Sequence, residues 1–464
     1  MFRKTAIILA LISVSWLLAF LPADANISPD GLVATSAILA ESGTGYILYE
    51  QNAYMRHPAD SLTKIMTLYL ASIAVEGGVL SDSEPVEMTE TAWLDLTESS
   101  TTQAIVPGQT MTFIDLMYSA YVGSANEACN MIALRLAGSI DAFVSMMNDK
   151  AAELGLSDTN FVNAHGQYHE NQYTTAYDMY ILYNEAAKNR LFSEISGTYR
   201  HVLEREEETV SRTLVSSNHM LNQNSNYYYR YCMSGIASAT YEGGYSLVAA
   251  ALEEDLSLIS VVLGSRAVIN DDSSTTMLNF TETHRLLLWG YANFGWRDIL
   301  KTTDLLTKVP ILHGSGADYV NARPEQSLTL LLNHNVPDEA FQIDFKIYSE
   351  ETDTPLAAPI EAGDKLGEVT VSRKLNDGTV VSYDPIALIA NTSIELNGVE
   401  FMRRKITEVL TTPIAQGIIA LLIIILVIYL ILVIRYNIMR INRLRRIKNA
   451  KNDIMRQRHE GFRE

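Results

Sequence analysis

The stretch His57-Pro58-Ala59-Asp60-Ser61-Leu62-Thr63-Lys64-Ile65-Met66-Thr67 places a serine three residues before a lysine. In a helical turn, residues i and i+3 share a face, so the Lys64 amine hangs beside the Ser61 hydroxyl. A serine hydroxyl is a weak nucleophile near neutral pH, and an adjacent base is the usual remedy. Lysine serves as that base when burial or cationic neighbours lower its pKa from about 10.4 towards neutrality. Taken alone, S-x-x-K is a pattern that chance supplies in a chain of 464 residues.

Downstream stands Ser124-Ala125-Asn126, ahead of the helix-like run Glu127 to Leu136. On a turn, Ser124 and Asn126 can point into one cleft; ordinary helix capping, which both residue types favour, is the competing reading.

The two ends carry membrane signals. Arg3 and Lys4 precede the apolar run Ile7 to Leu21, and Ala23-Asp24-Ala25 has the A-x-A pattern of a cleavage site. Residues 1–25 therefore read as a secretory signal peptide. Pro413 to Ile434 has no charged residue, and at about 1.5 Å per residue it spans a hydrocarbon core of about 30 Å. An apolar all-round soluble helix is a poor rival. Residues 435–464 hold ten Lys/Arg against three Asp/Glu, so this basic tail is expected in the cytoplasm and the preceding chain outside. With the tail set apart, the remaining chain is more acidic than the overall charge of −19. Such a domain is not built for nucleic acid.

The length suggests two or three units, and the 48% apolar content is ample for a core. Ala34 to Tyr49 reads as strand, turn and strand around Glu41-Ser42-Gly43-Thr44-Gly45. Ser61 to Ala74 reads as a helix with Ile65, Leu68 and Tyr69 facing a core. Ser139 to Leu154 is a second helix, N-capped by Ser139 and striped by Phe143, Met146, Met147 and Leu154. Thr175 to Asn189 is a third, residues 245–263 form an antiparallel hairpin, and Asn279 to Phe294 is a helix packing on that sheet. Beyond Lys301 the pattern turns to strands. Phe341 to Ile347 alternates like a half-buried strand, and Asn376-Asp377-Gly378 marks a hairpin turn between Val369–Lys374 and Val380–Tyr383. Cys129 and Cys232 are too few for a disulfide framework, and buried free thiols are favoured over a bridge.

S-x-x-K followed by S-x-N is the arrangement of penicillin-recognising acyltransferases. The surrounding segments Glu41 to Glu50, Met147 to Ala151, Leu154-Gly155-Leu156, Thr159 to Asn163 and Thr175 to Met179 resemble one branch. That branch is the low-molecular-weight penicillin-binding proteins acting as serine-type D-alanyl-D-alanine carboxypeptidases. The resemblance covers roughly residues 30–300. It implies a mixed α/β (α+β) domain like that of β-lactamases and transpeptidases, with an antiparallel sheet, helices on both sides and a helical subdomain. It also suits the expected order: catalytic domain 26–300, small β-sandwich-like domain 301–405, transmembrane helix 413–434 and cytoplasmic tail 435–464.

By that resemblance Ser61 attacks the terminal D-Ala-D-Ala amide of a peptidoglycan stem peptide, and Lys64 takes its proton. Ser124 relays a proton to the departing D-alanine, Asn126 binds the substrate amide, and the Ser61 N–H joins an oxyanion hole. β-Lactams are the implied covalent ligands; no metal or cofactor is implied. The family's third box, K-T-G, precedes a stretch like Gly244-Tyr245-Ser246-Leu247-Val248-Ala249, and here reads Ala237-Ser238-Ala239. Ser238 keeps a substrate-facing hydroxyl, but Ala237 lacks the ammonium that supports carboxylate recognition. Losing such a contact costs about 1.5–3 kcal/mol. Arg230 and His219 are candidate replacements. A working carboxypeptidase is the favoured reading; a pseudoenzyme that binds peptidoglycan or a cell-wall partner is the alternative. A β-lactamase fits the added β domain and anchor less well.

Overall fold

The run Ser36–Glu41 (β1) is buried at every residue, so neither of its faces meets water. In the computed structural model, which describes residues 29–460 apart from 30, 99, 204–211, 353 and 376, its two faces serve two cores. Ile38 and Ala40 join the larger core with the helices of the lobe, while Leu39 points into a second cluster with Leu247, Ala249 and Leu258. The alternation follows from the period-2 geometry of a strand. The expected signal peptide, residues 1–25, lies outside the described residues.

Two compact units are present. The first runs to Ile299 and takes in Thr329–Phe341 and Lys374–Val380. Its five-stranded antiparallel sheet uses β1, Ile47–Gln51 (β2), Cys232–Thr240 (β3), Gly244–Glu253 (β4) and Leu256–Ser265 (β5), in the order β2-β1-β5-β4-β3. The anticipated hairpin of residues 245–263 is β4 and β5, paired from Tyr245↔Ser265 to Glu253↔Leu256.

At the centre of the helical lobe lies Lys64–Glu76 (α1). It is packed by Phe113–Tyr121 (α2), Asn126–Ala137 (α3), Ile140–Glu153 (α4), Ala176–Ala186 (α5) and Arg190–Ser196 (α6). Residues 64–72 are all buried, as expected for a helix enclosed on every side. Ser139 caps α4 by accepting from Ala142 N, but Met146 of the expected core stripe is exposed. The helix read as Thr175 to Asn189 stops at Ala186. There Asn189 caps a new one, accepting from Phe192 N at 2.9 Å. Leu278–Asn293 (α7) covers the opposite sheet face through Phe280, Leu286 and Leu287.

The second unit comprises Leu300–Leu328, Gln342–Arg373 and Val381–Glu464. Its seven-stranded sheet contains Thr307–Leu312 (β6), Tyr319–Pro324 (β7), Phe341–Ile347 (β8), Leu356–Ala357 (β9), Lys365–Lys374 (β10), Val380–Ser382 (β11) and Ile386–Ala390 (β12). The strand β8 is not half-buried: residues Gln342 to Lys346 are exposed on both faces. It stands at the end of the sheet order, paired on one side with β10. Val371 and Val381 are buried on the two arms of the 374–380 hairpin, while Asn376 of its turn lies outside the described residues. Gly398–Thr411 (α8) leads into Pro413–Glu460 (α9). Among the described residues, α9 is the helix long and apolar enough by itself to cross a membrane. Cys129 and Cys232 are buried free thiols, and burial pushes both up to about 12.

Candidate active site

Ser61 lies not in α1 but in a 3₁₀ turn, Asp60–Thr63, that runs directly into it. The tighter turn still leaves Lys64 on the first residue of the helix, where it is 2% exposed. Its amine donates to Asn126 Oδ1 at 2.9 Å and to the His165 carbonyl at 2.6 Å. Three residues on, just under one turn, Thr67 Oγ1 donates to the Ala164 carbonyl at 2.5 Å. Two consecutive carbonyls of the 164–165 strap are thus held by one face of α1.

Burial pushes the Lys64 pKa down, against the charges of Glu127 and Asp60, which pull it up. A neutral amine has two N–H groups and one lone pair. In that form the two bonds would use both N–H groups on oxygen acceptors and leave the lone pair to accept a proton. The same burial, with the Lys64 charge beside it, pushes His165 down to about 3, and its Nδ1 accepts from Gln167 N. His165 therefore stays a neutral structural residue near pH 7.

Ser124 sits between α2 and α3 with φ +53°, and Asp60 has φ +43°. Both are non-glycine residues in the left-handed region, which costs about 1–3 kcal/mol each and is concentrated at functional sites. Ser124 occupies the turn, and Asn126, 6% exposed, opens α3 with its amide on Lys64. The capping alternative for Asn126 is set aside by that contact: its side-chain oxygen is spent on Lys64.

On the other side of Ser61 stands β3, an edge strand of the sheet. Ser238, 4% exposed, accepts from Ser61 N at 3.3 Å. One position back, Ser217 Oγ donates to the Ala237 carbonyl at 2.9 Å and accepts from Ala237 N at 3.1 Å. A serine hydroxyl thus closes the strand edge at Ala237. The two candidate replacements, Arg230 and His219, have other neighbours, and burial pushes the His219 pKa down. Arg230 lies over the Tyr231 ring at 4.5 Å, and His219 packs edge-on to Phe280 with ring centroids 5.5 Å apart.

The structure thus joins Ser61, Lys64, Asn126 and Ser238 in one seam. Four further contributors went unread in the sequence: the His165 carbonyl, Asp60, Glu127 and Thr240. A backbone carbonyl leaves no mark on residue type, and Glu127 looked like an ordinary first-turn acid. In the fold it is fully buried, with Oε1 accepting from Gln103 N at 2.6 Å. Among the described residues no group of three or more His, Cys, Asp or Glu is placed to hold a metal.

Residues 24–267 match the family model described as D-alanyl-D-alanine carboxypeptidase. The D-alanyl-D-alanine carboxypeptidase DacF of Bacillus subtilis is 27% identical over 355 residues, covering 76% of this chain and 84% of its own. DacA of Escherichia coli is 28% identical over 360 residues, covering 77% and 83%. Among solved structures, penicillin binding protein 6B of Escherichia coli superposes with a TM-score of 0.58 at 23% identity. That match covers 79% of this chain and 98% of the other, so the fold is that of the low-molecular-weight penicillin-binding proteins.

Proposed function

Since this chain belongs to the D-alanyl-D-alanine carboxypeptidase family, we propose that it removes the terminal D-alanine of peptidoglycan stem peptides through an acyl-enzyme on Ser61. Lys64 takes the Ser61 proton as the oxygen attacks the carbonyl of the penultimate D-alanine. The oxyanion is met by the Ser61 N–H, from which Ser238 withdraws. Ser124 passes a proton to the departing amine, Asn126 holds the substrate amide, and water then hydrolyses the ester. The observation that carries this reading is the Lys64 amine, buried at the start of the helix that follows Ser61 and bonded to Asn126 Oδ1 and the His165 carbonyl. The relatives are named for this hydrolysis, which favours the enzyme over a binding-only protein.

The helix α9 fits attachment to a membrane, and the basic residues after Ile434 favour a cytoplasmic tail with the active site outside. β-Lactams are covalent ligands by the same acyl chemistry. Incubation of the full chain with benzylpenicillin is expected to add one penicilloyl group to Ser61, seen by peptide mass spectrometry and lost in Ser61→Ala. A pentapeptide ending in D-Ala-D-Ala is expected to yield free D-alanine. Absence of both adduct and D-alanine would overturn the reading.

A further inference from the structure

The carboxylate immediately before the nucleophile has no part in the chemistry above, yet the fold is built around it. Asp60 is 3% exposed. Its Oδ2 accepts from Thr240 Oγ1 at 2.7 Å, and Thr240 Oγ1 in turn accepts from Gly243 N at 2.9 Å. Among the described residues, its Oδ1 is buried without a partner. Two glycines enclose it. A Cβ on Gly166 would lie 1.8 Å from the Asp60 carbonyl oxygen, and a Cβ on Gly243 would lie 1.8 Å from Asp60 Oδ2. Two residues before Thr240 on the same strand, Ser238 accepts from the Ser61 N–H. Residues i and i+2 share a strand face, so the nucleophile turn is fastened to β3 at two points one pleat apart.

We propose that Asp60 is a positioning residue for Ser61: through Thr240 its carboxylate fastens the turn carrying the nucleophile to the end of β3, fixing the Ser61 N–H opposite Ser238. The inference rests on Ser61 being the acylated residue. Of two adjacent backbone groups, the Asp60 carbonyl packs closely against Gly166 and the Ser61 N–H is bonded to Ser238 of β3, with Asp60 between them in the left-handed region. The carboxylate also acts through its charge. Lys64 faces Glu127 and Cys129 from α3, the His165 strap, and Asp60 from its own turn. Asp60 itself faces His57, Glu242 of the β3–β4 turn and Lys64. Ionised Asp60 holds the proton on Lys64 more tightly.

The test measures the second-order rate of acylation of the detergent-solubilised full chain by a fluorescent penicillin as a function of pH. Loss of one hydrogen bond in Thr240→Val is expected to lower the plateau about tenfold, and Thr240→Ser is expected to restore most of it. Asp60→Asn retains an acceptor for Thr240, so it loses less of the plateau. It also moves the acidic limb of the profile to lower pH, because Lys64 loses the charge that held its proton. A merely structural residue would leave that limb in place. If Thr240→Val does not fold, as judged by its thermal melt, Asp60→Ala decides: it removes the acceptor for Thr240, and a wild-type plateau in it overturns the inference. A wild-type protein that acylates while Asp60→Asn keeps the wild-type limb overturns this inference and leaves the proposed function standing. A wild-type protein that never acylates overturns both.

Discussion

Lys64 combines a low exposure with two hydrogen bonds to oxygen, and that pairing makes a sharp demand on its replacement. Arginine cannot give up its proton in proteins, so Lys64→Arg is expected to lower the acylation rate about 10²–10⁴-fold while preserving bonds to Asn126 and His165. Rapid-mixing acylation kinetics check this; a loss under tenfold would remove Lys64 from the role of base. His165 gives the complementary stability prediction. Burial, with the Lys64 charge beside it, holds its folded pKa at about 3, below the ordinary 6.5. Between those values the unfolded chain binds a proton that the folded chain refuses, so stability falls as pH drops from 6.5 to 3. The variant His165→Asn, which retains an acceptor for Gln167 N, is expected to flatten that slope in urea titrations. Ser61, Lys64, Ser124 and Asn126 could be proposed from the sequence because the proposed chemistry restricts the residue type at each. The Lys64–His165 contact was not, since any residue supplies a carbonyl.

At the scale of elements, the strap 163–166 and the β3–β4 turn converge on the nucleophile turn, and glycine is required where they touch it. Gly166 has φ +89°, and a methyl there would meet the Asp60 carbonyl. Overpacking together with a disfavoured backbone is expected to cost roughly 2–4 kcal/mol in Gly166→Ala, read as a lowered urea midpoint. The helices and strands themselves followed from periodicity: Ile65, Leu68 and Tyr69 face the core as their spacing implied. Errors arose where the neighbour decides. Met146 is apolar at a core spacing, yet it is exposed. The strand β8 alternates in sequence and lies uncovered at the end of its sheet. Periodicity reports the shape of an element, and burial depends on what faces it.

For the whole molecule, α9 makes location a physical property of the chain. Full-length protein is expected to sediment with membranes and resist carbonate extraction, whereas deletion of residues 413–464 is expected to release it in soluble form. Protease added outside intact spheroplasts is expected to spare an epitope fused after Glu464; its digestion would reverse the proposed orientation. Residue types at fixed spacings were enough to point to the family and to the long apolar helix, and to propose Ser61 as nucleophile and Lys64 as base, because each rests on local chemistry or on one uninterrupted run. Only the tertiary structure decided that Ser238 meets the Ser61 N–H, that Ser217 closes the edge at Ala237, and that Asp60 grips Thr240. Those contacts join residues far apart in the chain, and their existence depends on how the sheet edge packs against the first turn of the buried helix.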